Sequence, residues 1–109
     1  MTLAEKKCIP CEKGTPPMGP MEARKLMAEL DPAWCLVADH ELRREFPFKN
    51  FADSLAFANK IGTLADAEGH HPNLTISWGL LVVEIWTHKI DGLSENDFIL
   101  AAKIDKLLI

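Results

Sequence analysis

Three of the four histidines of this 109-residue chain, His70, His71 and His88, lie close together in the sequence. An imidazole has an unperturbed pKa of roughly 6.5, so it can donate or accept a proton near neutral pH, and it is also a common metal ligand. Spacing alone leaves proton transfer, metal ligation and a purely structural role open for this histidine cluster. The fourth histidine, His40, lies in a predicted turn, and we interpret it as a hydrogen-bonded surface residue.

The neighbours of these histidines predict how the rings are presented. Pro72 disfavours a helical backbone at His71, and adjacent residues of an extended segment point to opposite sides. We therefore expect one ring of the His70–His71 pair to face a cavity and the other to brace the loop, with either assignment possible. His88 follows an apolar run in which it shares a strand face with Trp86, so we expect it to leave the sheet at an edge beside that indole.

Changes of hydrophobic periodicity along the chain predict the elements that position these residues. Helical spacing appears over residues 21–30, from Asn50 to Gly69 and over 98–108, and the last of these helices begins with a Ser94-x-x-Asp97 capping box. Short runs typical of strands cover residues 34–38, 42–48, 74–78 and 80–87, the last two as separate strands or one bulged hairpin.

This order, α-β-β-α-β-β-α, predicts an α+β fold in which about three helices pack on one face of a four-stranded antiparallel sheet. We expect a single domain over residues 1–109, with residues 1–20 forming a loop-like N-terminal strap. The strap contains Cys8-x-x-Cys11, but no second such pair completes a zinc site and no βαβ context supports a redox pair. Its prolines and glycines favour an irregular segment instead.

Composition narrows the class of protein further. The chain is 48% hydrophobic and 26% charged, as in ordinary globular domains, and its net charge is −4. Without a block of lysines and arginines we expect no direct contact with nucleic acid. No apolar stretch approaches the roughly 18 residues of a membrane span, and no secretory signal is evident. We therefore expect a cytoplasmic protein that does not bind membranes.

Taken together, several motifs closely resemble the pterin-4a-carbinolamine dehydratase family. The similarity spans nearly the whole chain in matching order and spacing. The motifs that carry it are Ala67-Glu68-Gly69-His70-His71-Pro72, Trp78, Thr87-His88, Gly92-Leu93-Ser94-Glu95-Asn96-Asp97 and residues 101–104, with Phe46-x-Phe48-x-x-Phe51 and the opening Cys8-x-Pro10-Cys11-x-x-Gly14-x-Pro16-Pro17.

The resemblance implies dehydration of a 4a-hydroxytetrahydropterin to quinonoid dihydropterin, which recycles the cofactor of an aromatic amino-acid hydroxylase. It implies histidine acid–base catalysis without a metal or redox cofactor. Trp86 replaces a small hydroxyl residue of the family, so we expect a narrower pocket. The implied active-site histidines are His70, His71 and His88, and the implied substrate-binding residues are Gly69, Trp86, Thr87 and Asp97.

Other interpretations remain beside this one. Asp97 could serve only as a helix cap. Trp78 could stack on a pterin ring or anchor the sheet, and we favour the sheet. Some animal members of the family act as dimerisation cofactors for a homeodomain transcription factor, so a non-catalytic interaction protein is the alternative function. The broad apolar stripe of the last helix, which includes Phe98 and Leu108, predicts a homo-oligomer, either a dimer or a tetramer.

Overall fold

The structure, a computed structural model, describes residues 1–108, so Ile109 of the predicted domain lies outside the described residues. The predicted order of helices and strands is confirmed. The elements are α1 (Pro20–Met27), β1 (Cys35–Val37), β2 (Glu41–Pro47), α2 (Phe51–Glu68), β3 (Asn73–Ser77), β4 (Leu80–Ile85) and α3 (Glu95–Lys106), with short 3-10 helices at Leu3–Glu5 and His88–Ile90.

All four strands pair in antiparallel fashion, in the order β1-β2-β4-β3. The register places Leu42 opposite Ile85 and Phe46 opposite Leu81 on one face of the sheet, and all four side chains are buried. Helices α2 and α3 cover this face. Fully burying an aliphatic or aromatic side chain of this size contributes about 1.5–3 kcal/mol, so this face forms the core of the domain.

Local signals at both ends of α2 determine where the histidine pair begins. The Asn50 side chain caps the helix by accepting a hydrogen bond from the Asp53 amide at 2.8 Å. At the other end Gly69 has φ of +66°, a left-handed conformation that costs glycine little. The chain therefore leaves the helix abruptly, and the His70 amide still donates to the Ala65 carbonyl at 3.2 Å.

The prediction that His88 leaves an edge of the sheet from a strand is wrong. Strand β4 ends at Ile85 and lies between β2 and β3 in the interior of the sheet. The Thr87 amide donates to the Gly92 carbonyl at 2.8 Å, and this isolated bridge closes a tight loop in which His88 begins a 3-10 helix. Strand alternation thus stops before His88, since the chain there pairs with itself rather than with the sheet.

The prediction that Trp78 anchors the sheet is wrong. Strand β3 ends one residue earlier, and Trp78 occupies the tight turn before β4 with 73% of its surface exposed. The next residue, Gly79, has φ of +76°, which is typical of a short hairpin connection. The tryptophan therefore lies on the turn, beyond the strand residues whose side chains alternate between faces.

Helix α3 buries most of its apolar stripe within the chain itself. Phe98, Ala101 and Ile104 are fully buried, whereas Leu108, just beyond the helix, is 47% exposed. Ala102 and Leu107 are half-buried, so they and the exposed Leu108 are the part of the stripe left for contact with another molecule. Within residues 1–108, no helix combines the length and the apolar character needed to cross a bilayer.

Candidate active site

A pocket of about 360 Å³ lies where the end of α2, the loop after β4, the start of α3 and the N-terminal strap meet. This volume lies within the range of roughly 300–1,000 Å³ that is typical of small-molecule sites. The lining residues are Ile9, Pro10, Cys11, Glu68, Gly69, His71, Trp86, Thr87, His88, Lys89 and Asn96. Two of the three clustered histidines, from separate parts of the chain, thus line one cavity.

The two adjacent histidines have different environments. The His71 side chain lines the pocket, is 63% exposed and places Nε2 2.9 Å from Oδ1 of Asp66. The His70 side chain is only 12% exposed, and its Nε2 lies 2.6 Å from Oδ1 of Asp97. The two rings therefore have the different roles that were expected of the pair. His71 faces the cavity, whereas His70 braces the loop.

His88 reaches the pocket beside an aromatic wall, although it is not part of the strand. Its ring stacks on Trp86 with the centroids 4.4 Å apart and the planes 25° from parallel. The His40 ring also contacts Trp86, at a centroid distance of 5.6 Å, and its Nε2 is 2.9 Å from Oδ1 of Asp91. This hydrogen bond to Asp91 raises the pKa of His40.

His40 is thus hydrogen-bonded and partly exposed, as predicted, but its contact with Trp86 was not foreseen. The two residues are far apart in sequence and meet only because the β1–β2 turn lies next to the end of β4. His40 is not among the residues that line the pocket.

Asp97 is fully buried and connects three parts of the site. Its carboxylate accepts hydrogen bonds from the Ser94 amide at 2.8 Å and from the Thr87 hydroxyl at 2.9 Å, in addition to its contact with His70. The capping box predicted from the sequence is present. Asp97 therefore caps α3 and also holds Thr87 and His70 in place, while its own side chain does not line the pocket.

Sequence reasoning missed several residues of the pocket wall. The strap residues Ile9, Pro10 and Cys11 were interpreted only as part of an irregular segment, and Asn96 was passed over beside Asp97. The one sequence signal that could have placed the strap at the site was the similarity of its Cys-Pro opening to family sequences. Only the folded chain shows that this opening lies against the histidines.

The fold and the site define a class: an antiparallel α+β domain with a histidine-lined pocket at the junction of two helix ends. Residues 16–107 match the family model described as "Pterin 4 alpha carbinolamine dehydratase". A relative from Alkaliphilus metalliredigens, named after the same dehydratase, is 54% identical over 104 residues, covering 95% of this chain and 94% of the relative. A similarly named relative from Rickettsia canadensis is 58% identical over 103 residues, covering 94% of each chain.

The chain therefore belongs to the pterin-4a-carbinolamine dehydratase family. Among solved structures, a protein from Brucella melitensis described as a transcriptional coactivator/pterin dehydratase superposes with a TM-score of 0.76. It is 24% identical, and the match covers 84% of this chain and 97% of the other. At this identity the match supports the fold.

Proposed function

We propose that this protein is a hydro-lyase that converts 4a-hydroxytetrahydropterin into quinonoid dihydropterin and water. The observation that carries the proposal is the presentation of His71 and His88 into one pocket of about 360 Å³ in a member of this family. In this proposal the enzyme acts in the cytoplasm and recycles tetrahydrobiopterin for an aromatic amino-acid hydroxylase.

The chemistry of the reaction suits a pair of imidazoles. Hydroxide leaves C4a readily only if an acid protonates it, and the N5 proton must pass to a base as the C4a–N5 double bond forms. A protonated and a neutral histidine can perform these two transfers near pH 7, and each such transfer typically contributes 10²–10⁴-fold in rate. We assign the transfers to His71 and His88 and assign no order between them.

The remaining predicted residues have roles that fit their positions. Gly69, Trp86 and Thr87 line the cavity and are proposed to contact the pterin. His70, which is largely buried, and the fully buried Asp97 form a pair outside the lining, so we assign them to positioning the His71 loop and Thr87. This refines the family-based expectation that all three histidines touch the substrate.

The direct test generates the carbinolamine in situ with an aromatic amino-acid hydroxylase and follows quinonoid dihydropterin by absorbance. We expect this protein to accelerate the dehydration step well above the spontaneous rate, in proportion to its concentration. Heat-denatured protein is the control. A rate equal to the spontaneous one at micromolar protein would contradict the proposed activity.

Because the proposed mechanism uses free imidazoles, we expect dehydration to be independent of metal. Elemental analysis of the purified protein should show less than about 0.1 zinc or iron per chain, and incubation with EDTA should leave kcat unchanged. One tightly bound metal per chain, with activity lost on its removal, would instead assign the histidines to ligation.

We also propose that the protein is a homo-oligomer. The exposed apolar residues include Phe51 and Leu55, one turn apart on α2, as well as Leu108 after α3. Leu108→Glu should produce smaller species in sedimentation velocity, since a charge is costly to bury in an apolar interface. The matched variant Met21→Glu, on the exposed first turn of α1, should sediment as the unmodified protein does. A wild-type protein that is monomeric at micromolar concentration would refute this proposal.

An interaction protein is the second candidate, because the Brucella protein with this fold is described as a coactivator as well as a dehydratase. The dehydration assay separates the two functions. A pure interaction protein would leave the spontaneous rate unchanged.

A further inference from the structure

The N-terminal strap is attached to the same two helix ends that carry the site residues. The Asn96 side chain accepts a hydrogen bond from the Ile9 amide at 3.0 Å, and its own amide donates to the Ile9 carbonyl. Asn96 directly precedes Asp97, and both are buried. One side chain thus fixes both main-chain polar groups of Ile9 against the start of α3.

A second attachment comes from the end of α2. The Cys8 amide donates to Oε1 of Glu68 at 2.9 Å, while Lys103 donates to Oε2 of the same carboxylate at 2.9 Å. Burial alone would raise the pKa of Glu68, but these two donors outweigh it and lower the pKa below its usual value. Glu68 is therefore a charged anchor for the strap, one residue before Gly69.

The far end of the strap is held at the loop that carries His88. The Met18 amide donates to the Leu93 carbonyl at 2.7 Å. A Cβ atom at Gly92 would come within 2.7 Å of the Pro17 side chain, so the chain approaches this glycine closely. The strap is thus attached on both sides of the cavity.

Between these attachments the strap presents Ile9, Pro10 and Cys11 to the pocket. Ile9 is 71% exposed although its main chain is fixed on both sides. Because its main chain is already fixed, an exposed aliphatic side chain at a cavity that also has an indole wall can cover a flat ring without the further entropic cost of ordering the loop.

We propose that the strap is a wall of the substrate pocket, in which Ile9 contacts the bound pterin and Asn96 is the positioning residue that holds Ile9 in place. This inference rests on the proposed function. It adds a binding contribution from a segment that contains no histidine. It therefore predicts effects on KM rather than on the proton-transfer step.

Steady-state kinetics of the dehydration test the wall. Ile9→Ala should raise KM about tenfold with kcat changed less than twofold, since the side chain makes equal contact with ground state and transition state. Asn96→Ala should raise KM at least as much. The control for Ile9→Ala is Met21→Ala, which changes a similarly exposed apolar residue on α1. The control for Asn96→Ala is Asn59→Ala, which changes an exposed asparagine on α2. Both controls should have the KM and kcat of the wild-type protein.

The three free thiols provide a readout that does not depend on catalysis. Cys35 is exposed, Cys11 is partly buried in the strap, and Cys8 is buried, where burial and then Glu68 raise its pKa to about 12. With iodoacetamide at pH 8 the expected order of alkylation is Cys35, Cys11, Cys8, because exposure of the thiols decreases in that order and the raised pKa of Cys8 also disfavours its reactive thiolate form. Peptide mass spectrometry resolves the three rates.

Asn96→Ala should accelerate alkylation of Cys11 about tenfold and leave Cys35 unchanged, because the strap loses one anchor and Sγ of Cys11 loses the donor Nδ2 of Asn96 at 3.6 Å. Saturating 7,8-dihydrobiopterin should slow alkylation of Cys11 in the wild-type protein. If the protein is active but Ile9→Ala leaves KM unchanged, the strap inference is overturned and the proposed function stands. The same holds if neither Asn96→Ala nor the pterin alters the alkylation rate of Cys11. Absence of any dehydration would instead overturn the proposed function.

Discussion

His71→Ala and His88→Ala are each expected to lower kcat for carbinolamine dehydration by about 10²-fold or more at neutral pH, because each removes a group proposed to transfer a proton. Neither change should unfold the protein, since the His71 ring is largely exposed and the His88 ring stacks on the surface of Trp86. Stopped-flow assays with a coupled hydroxylase measure the rate, and circular dichroism checks the fold.

His40→Ala is the informative comparison for these variants. Its ring lies outside the pocket and contacts the site loop through Trp86 and Asp91, so we expect at most a few-fold change in kcat. Wild-type kcat in both His71→Ala and His88→Ala would reject acid–base catalysis by the cluster. An equally large loss in His40→Ala would show that the stacked rings, rather than proton transfer, determine the rate.

Asp97→Ala is expected to destabilise the fold by about 2–4 kcal/mol. The change removes the Asp97 half of the α3 capping box, typically worth about 1 kcal/mol, and it leaves the largely buried His70 ring without its carboxylate partner, at a further 1–3 kcal/mol. The Thr87 hydroxyl keeps its contact with the Ser94 hydroxyl at 2.8 Å. Urea denaturation followed by tryptophan fluorescence measures the difference in the free energy of unfolding.

Asp53→Ala is the matched control for this variant, since it removes an exposed carboxylate from the first turn of α2. It should cost less than about 1 kcal/mol. If Asp97→Ala is no more destabilising than Asp53→Ala, the buried network contributes little to stability. Asp97 would then matter through the site alone.

The helices could be predicted because their ends carry local signals. Asn50 and Gly69 bound α2, and the Ser94–Asp97 box starts α3, through hydrogen bonds that span only a few residues. The strands were also found from their periodicity, although β1 and β4 are shorter than predicted. The family motifs likewise identify the histidine cluster from the sequence alone.

The chain alone did not determine how the histidines are presented. The choice of His71 rather than His70 as the ring that faces the cavity depends on Asp97, which takes up the other imidazole from 27 residues away. The hydrophobic periodicity predicts a strand through His88 because it contains no information on the bridge between Thr87 and Gly92. That bridge turns the chain back on itself.

The strap shows the same limit most clearly. Its composition predicts an irregular segment, but no sequence signal within the segment predicts where it packs on the domain. The Ile9–Asn96 hydrogen bonds join residues 87 positions apart, and the Cys8–Glu68 bond joins residues 60 positions apart. Caps and periodicity are properties of neighbouring residues and can be read from the sequence. A pocket wall is made by contacts between distant residues, which exist only after the sheet and helices have brought them together.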